Sequence, residues 1–254
     1  MRLSFVFTVL LWIDSAHSYK ILVYCPRFLQ SFNNFLGNIA DILLEAGHDV
    51  TTVIPIVNPN LRDATHKSTK IYVQPTDEVR KITGNMNFEE ASFFEYDDFD
   101  LINSAPIGRA FMGWVNAQCP VVLDEPGLIE RMKEERFDVM IVENWETCGV
   151  GLSHLIKPKS LITASGSVPM GEQGWEFGLD DALSYNPNPL VSSVDVHSIW
   201  SRTFNIYANL MFLATYAATR NEINTFFQER YGPTFPSIQE ISSHAAYSFI
   251  NSDL

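Results

Sequence analysis

The sequence predicts an α/β fold, a parallel sheet flanked by helices, on three observations. The first is Lys20–Thr52, which reads as strand, loop, helix, tight turn and strand, a β-α-β unit at the start of the chain. The second is the alternation of short apolar runs with helical patterns that continues to the end. The third is composition: 254 residues, 46% hydrophobic and 19% charged, enough for one or two domains with a sizeable core.

Lys20-Ile-Leu-Val-Tyr is β-branched and apolar, as a strand buried on both faces requires. Phe35, Leu36, Ile39, Ile42, Leu43 and Ala46 recur at helical spacing, and Gly47 is suited to a left-handed stop. The second strand follows from His48. Pro55 to Asn60 is a loop, Lys70–Gln74 a third strand and Asp77–Ile82 a short helix. The acidic, Phe-rich passage within 87–100 reads as a packed surface loop. A helix over Ala110–Cys119 is expected to stop before Pro120, and another to run from Pro126 to Arg136. Arg136–Val142 is a strand, Gly149–Ile156 a helix, and Lys159–Thr163 a strand followed by a small-residue loop, Ala164–Ser167. Residues 169–198 read as a long irregular excursion, of the kind that is commonly functional. Trp200, Phe204, Tyr207, Met211 and Ala214 start a long helix reaching Arg230 before Gly232-Pro233, with that stripe expected in the core. Ala246–Asn251 is the last strand.

Residues 1–18 have the parts of a secretory signal: Arg2, an apolar Leu3–Ile13, and Ala16-His17-Ser18 as a small-x-small cleavage site. Mature protein would then be residues 19–254. No later run has the 18–20 apolar residues or so of a membrane helix, Ala208–Ala218 being far too short. Of Cys25, Cys119 and Cys148 at least one stays free or pairs between chains, and spacing alone leaves the pairing open. A net charge of −13 without a Lys/Arg cluster argues against a nucleic-acid partner.

Three strand ends bring polar residues to one sheet edge: the Cys25–Asn34, Glu143–Thr147 and Ala164–Ser167 loops. No Gly-x-Gly-x-x-Gly follows the first strand and no Walker loop occurs, so phosphate binding at the first helix is not expected. Phe28, Leu29, Phe32 and Trp145 suit an apolar ligand instead. Glu143, at the end of a buried strand, is a candidate for a raised pKa or a proton-handling role. Ser165 lacks the flanking glycines of a nucleophile elbow, so a serine hydrolase is disfavoured. His48 lies at the opposite end of the sheet, and His154 has no evident carboxylate partner. No metal-ligand spacing is present.

Several ordered blocks resemble one family. Lys20–Tyr24, Pro26-Arg-Phe, Phe35, Gly37, Ile39-Ala-Asp and Ala46–Thr51, then Arg136–Asn144 with Cys148-Gly149, Ile162–Ser167 and Ala246–Asp253, are similar to UDP-glycosyltransferases of the UDP-glucuronosyl type, nematode-like. The resemblance covers Tyr19 to Leu254. It implies the Rossmann-like, acceptor-binding N-terminal domain of a two-domain GT-B glycosyltransferase, whose C-terminal domain would bind the UDP-sugar and carry a membrane helix. It also implies the secretory pathway or endoplasmic reticulum, a UDP-sugar co-substrate and no resident cofactor. In the family's chemistry a His after the first strand deprotonates an acceptor hydroxyl, a later carboxylate orients it, and the sugar is transferred with inversion. The family's Ser-His-x-x-Phe is matched here by Ser31-Phe32-Asn33-Asn34-Phe35, so the base position is Phe32, and the carboxylate position is Glu143. The resemblance places Phe28, Leu29, Ser31, Phe32, Asn33 and Trp145 against a small lipophilic acceptor. The alternative is a catalytically inactive lipophile-binding or regulatory module that associates with full-length relatives and meets the membrane only through them.

Overall fold

In the computed structural model, residues 18–65, 67–83, 113–114, 116–167, 182–188 and 195–251 are described, with Gly174 and Gly178 between them. Residues 1–17 of the signal segment, the Phe-rich passage, part of the helix read before Pro120 and most of the 169–198 excursion lie outside these residues.

Six parallel strands form one sheet: β1 (Lys20–Tyr24), β2 (Asp49–Pro55), β3 (Thr69–Val73), β4 (Val139–Glu143), β5 (Ser160–Ser165) and β6 (Tyr247–Ile250). Their order is β3-β2-β1-β4-β5-β6. The chain builds outward from β1 in one direction, then returns past it at β4. This reversal makes a Rossmann-like sheet and puts a crevice outside the carboxyl ends of β1 and β4. On one face α1 (Gln30–Glu45) covers Ile21, Val23, Val50, Ile54 and Ile141. On the other, α4 (Leu128–Glu135), α5 (Thr147–Ile156) and the 33-residue α6 (Ile199–Tyr231) help to cover Leu22, Tyr24, Met140 and Val142. The short α2 (Asp77–Thr83), α3 (Cys119–Asp124) and α7 (Ile238–Ser243) complete the helices described.

Gly47, at φ 93°, ends the turn after α1 as the sequence predicts. The buried stripe of α1 differs from the periodic one. Ile42 is 63% exposed, while Asn33, Leu36, Gly37 and Ala40 are buried. The loop between β2 and β3 causes this, because it lies directly on the helix. A Cβ at Gly37 would fall 1.2 Å from the backbone oxygen of Ala64. The Asn33 side chain donates to the Arg62 carbonyl at 2.6 Å.

Other boundaries shift for local reasons. Pro120 sits in the first turn of α3, where its missing N–H is no loss, so the chain is helical across Cys119 and Pro120. β4 begins only at Val139, since Arg136 takes a left-handed conformation after α4. Ala164 and Ser165 continue β5, and α5 starts two residues earlier than Gly149.

The largest correction concerns α6. Trp200 and Tyr207, assigned to the core from their spacing, are 82% and 44% exposed. The buried face of the first half carries Asn205, Ala208 and Asn209 instead. Asn205 donates to the carbonyls of Leu183 and Asn186 at 2.7 and 2.6 Å and accepts from the Asn188 N–H at 2.9 Å. The Asn188 amide donates to Asn209 at 2.9 Å. Hydrogen bonds to segment 182–188 therefore orient this half of the helix, and Trp200 and Tyr207 turn outward.

The two sheet edges differ. On β3, Lys70 pairs with Asp63 at 3.1 Å, and Asp63 also meets Arg27 at 3.3 Å. On β6, Tyr247, Phe249 and Ile250 are 68%, 46% and 39% exposed.

Candidate functional site

The carboxyl ends of β1, β4 and β5 converge, as the three loops predict. Glu143 is the last residue of β4 and sits in register with Ala164 of β5. It is fully buried. The N–H of Gly166 donates to its carboxyl oxygens at 3.4 and 3.3 Å. Burial raises its pKa to about 8. Backbone hydrogen bonds from Gly166, Trp145 and Asn144 work against that rise, and nearby Glu146 adds to it.

Phe32, in the first turn of α1, lies over Gly166. A Cβ on that glycine would meet the phenyl ring at 2.8 Å. Phe32 and Glu143 therefore meet at the same glycine, one through its Cα side and the other through its N–H. Phe32 also stands 5.2 Å from the Phe28 ring and packs on Trp145 and Tyr216. Trp145 is buried, and its indole N–H donates to Ser167 Oγ at 3.1 Å. Leu29 is the N-cap of α1 and packs with Phe28 and Val57. Ser31 is exposed on the first turn.

Asn33, expected against the acceptor, faces the helix–sheet packing instead. It has no exposure, its amide reaches Arg62, and its Oδ1 accepts from the Cys25 thiol at 3.5 Å. Phe28 is likewise enclosed, at 1% exposure, and supports Phe32 from beneath. The partly open apolar surface at this edge comes from Leu29 and Phe32, joined by Phe212 of α6.

Sequence reasoning missed Glu146. Its carboxylate caps α5, accepting from the N–H groups of Cys148 at 3.2 Å and Gly149 at 2.6 Å. Burial raises its pKa to about 8, opposed by those two N–H donors. The Tyr24 hydroxyl is pushed up by its own burial and then by Glu146. Cys25 is raised by burial and then by Glu143. Four ionisable groups thus gather at the ends of β1 and β4, and burial shifts each of them toward its neutral form. The one available signal for Glu146 was a carboxylate directly before Thr147, where a helix could begin; the later start assigned to α5 hid it.

Cys119 and Cys148 form a disulfide that ties α3 to the first turn of α5, and Cys25 is free and buried. Ser165 is enclosed within β5, its hydroxyl without a hydrogen-bond partner among the described residues, so no nucleophile is presented there. His48 accepts from the Tyr19 N–H at 3.4 Å at the far end of the sheet, and His154 packs edge-on to Phe235 at 5.0 Å. Two surface grooves of about 500 and 390 Å³ lie along α2–α3 and the outer side of α6, neither lined by Glu143, Phe32 or Trp145. No described helix is long and apolar enough to cross a membrane.

With this geometry in place, similarity to known proteins identifies the family. The chain is 26% identical to the UDP-glucuronosyltransferase-named protein ugt-47 of Caenorhabditis elegans over 96% of its own length and 46% of that protein's. It is 25% identical to human UDP-glucuronosyltransferase 1A6 over 69% of this chain and 33% of that one. It therefore spans about half the length, or less, of these relatives. Among solved structures, the glycosyltransferase of kitacinnamycin aligns with 92% of this chain and 46% of its own, at 13% identity and a TM-score of 0.47. The profile of the family described as "UDP-glucoronosyl and UDP-glucosyl transferase" matches residues 20–254, and the chain belongs to that family, as its N-terminal half.

Proposed function

We propose that residues 19–254 form the acceptor-binding half of a UDP-glycosyltransferase acting on small lipophilic alcohols or phenols. In the complete enzyme a C-terminal domain would present a UDP-sugar, and the acceptor oxygen would displace UDP with inversion. The apolar Leu29–Phe32 surface beside a buried carboxylate supports this acceptor class. The Cys119–Cys148 disulfide supports a secretory, endoplasmic-reticulum setting.

The observation that carries the reading is the meeting of Phe32 and Glu143 at Gly166. An imidazole at position 32 would lie beside a carboxyl able to orient it and stabilise its protonated form. Phenylalanine has no proton acceptor, and loss of a general base costs about 10²–10⁴ in rate. This favours a second reading, in which the chain holds a lipophile without turning it over. Purified chain given UDP-glucose or UDP-glucuronate and a phenol is expected to form no product; measurable turnover sinks the second reading. In a chimera completed with a relative's donor domain, Phe32→His is expected to raise kcat about 10²-fold or more. An unchanged kcat would mean that position 32 is not the base position.

A further inference from the structure

Helix α6 brings to the strand-end edge a residue that no sequence motif marks. Phe212 is half-buried and packs on the Trp145–Tyr216 pair, which Phe32 joins from α1. The Phe212 and Tyr216 rings are nearly parallel, 7° apart with centroids at 6.3 Å. Trp145 stands edge-on to both, at 73° and 70° and 6.1 Å from each. The inner members are fixed. Trp145 donates to Ser167 Oγ at 3.1 Å, the Tyr216 hydroxyl donates to the Asn144 carbonyl at 3.5 Å, and the Arg220 guanidinium lies 4.9 Å over the Tyr216 ring. Phe212 is therefore the outer ring of a braced stack whose inner residue, Trp145, is two positions from Glu143.

We infer that Phe212 selects planar aromatic acceptors over saturated ones of the same size. This rests on the acceptor reading above. A fixed ring offers a guest two attractions: loss of apolar surface to water, which any hydrocarbon of that size obtains, and the interaction of ring quadrupoles, which only an aromatic guest obtains. The second contributes about 0.5–1.5 kcal/mol, or roughly two- to tenfold in affinity. Asn205 and Asn209 anchor the helix one to two turns before Phe212, which keeps the ring from retreating when a guest arrives.

Isothermal titration calorimetry of the full chain with 1-naphthol and with its decahydro analogue tests this. Wild type is expected to prefer the naphthol. Phe212→Leu should weaken naphthol about two- to tenfold and change the saturated alcohol by less than twofold, while Phe212→Tyr keeps the preference and shows that the stack still folds. A Phe212→Leu variant that binds both alcohols like wild type, or loses both equally, overturns the inference and leaves the acceptor reading standing. Wild type that binds neither alcohol overturns both.

Discussion

Glu146 sits one residue before α5 and three after Glu143, and its carboxyl does two things at once. It caps the second and third N–H groups of α5, those of Cys148 and Gly149, and it raises the cost of ionising Glu143 and Tyr24. Both glutamates have pKa values lifted from 4.5 to about 8, by burial first. Between those values the folded chain holds more protons than the unfolded one, so the stability they confer is complete below about pH 4.5 and is lost as pH rises toward 8. Thermal melts from pH 5 to 8.5 should show a falling Tm over that window. Glu146→Gln retains an accepting oxygen at the cap and removes one of the two titrations, so the pH-dependent loss should shrink by about half. Glu146→Ala should cost about 1 kcal/mol near pH 5 through the missing cap, a cost that shrinks as pH rises because the variant also lacks the Glu146 titration. A Tm that is flat with pH would contradict the burial of both carboxyls.

At the level of elements, the first turn of α5 is held from two sides, by the Glu146 cap and by the Cys119–Cys148 bond. The bond closes a separation of 29 residues, for which chain entropy predicts about 3–4 kcal/mol. Reduction, or the double change Cys119→Ser and Cys148→Ser, should lower the urea midpoint accordingly; an unchanged midpoint would show that α3 and α5 need no tether. Legibility divides along the same elements. The strands and the three converging loops were readable, because parallel strands buried on both faces leave unbroken apolar runs such as Ile-Leu-Val and Met-Ile-Val. The orientation of α6 was not, because Asn205 and Asn209 bury their amides against carbonyls that only the fold brings near. Nor was the packing of α1, where a backbone approach at Gly37 and a distant carbonyl at Arg62 override the periodic stripe. At the candidate site, Phe32, Glu143 and Trp145 were named from the chain and lie together in the structure, whereas Phe212 required knowledge of how α6 lies on the sheet.

For the molecule as a whole, the strand order places the first and fourth strands at the centre, so the β-α-β unit that opens the fold, Lys20–Thr52, lies beside the Glu143 edge. It also leaves two outer strands with opposite characters. Lys70 and Asp63 put charge along β3, which discourages a passing strand, whereas Tyr247-Ser-Phe-Ile of β6 has no charge and three open apolar side chains. In colloidal terms β6 is a sticky rim on a particle whose charge of −13 otherwise keeps copies apart. Raising salt screens that repulsion and leaves the rim untouched. Light scattering from the purified chain should therefore grow with ionic strength, and Phe249→Lys should flatten the curve without altering the melt; a salt response unchanged by that substitution would place the stickiness elsewhere. The shelf life of this domain in a test tube would then be set by four residues far along the chain from Glu143.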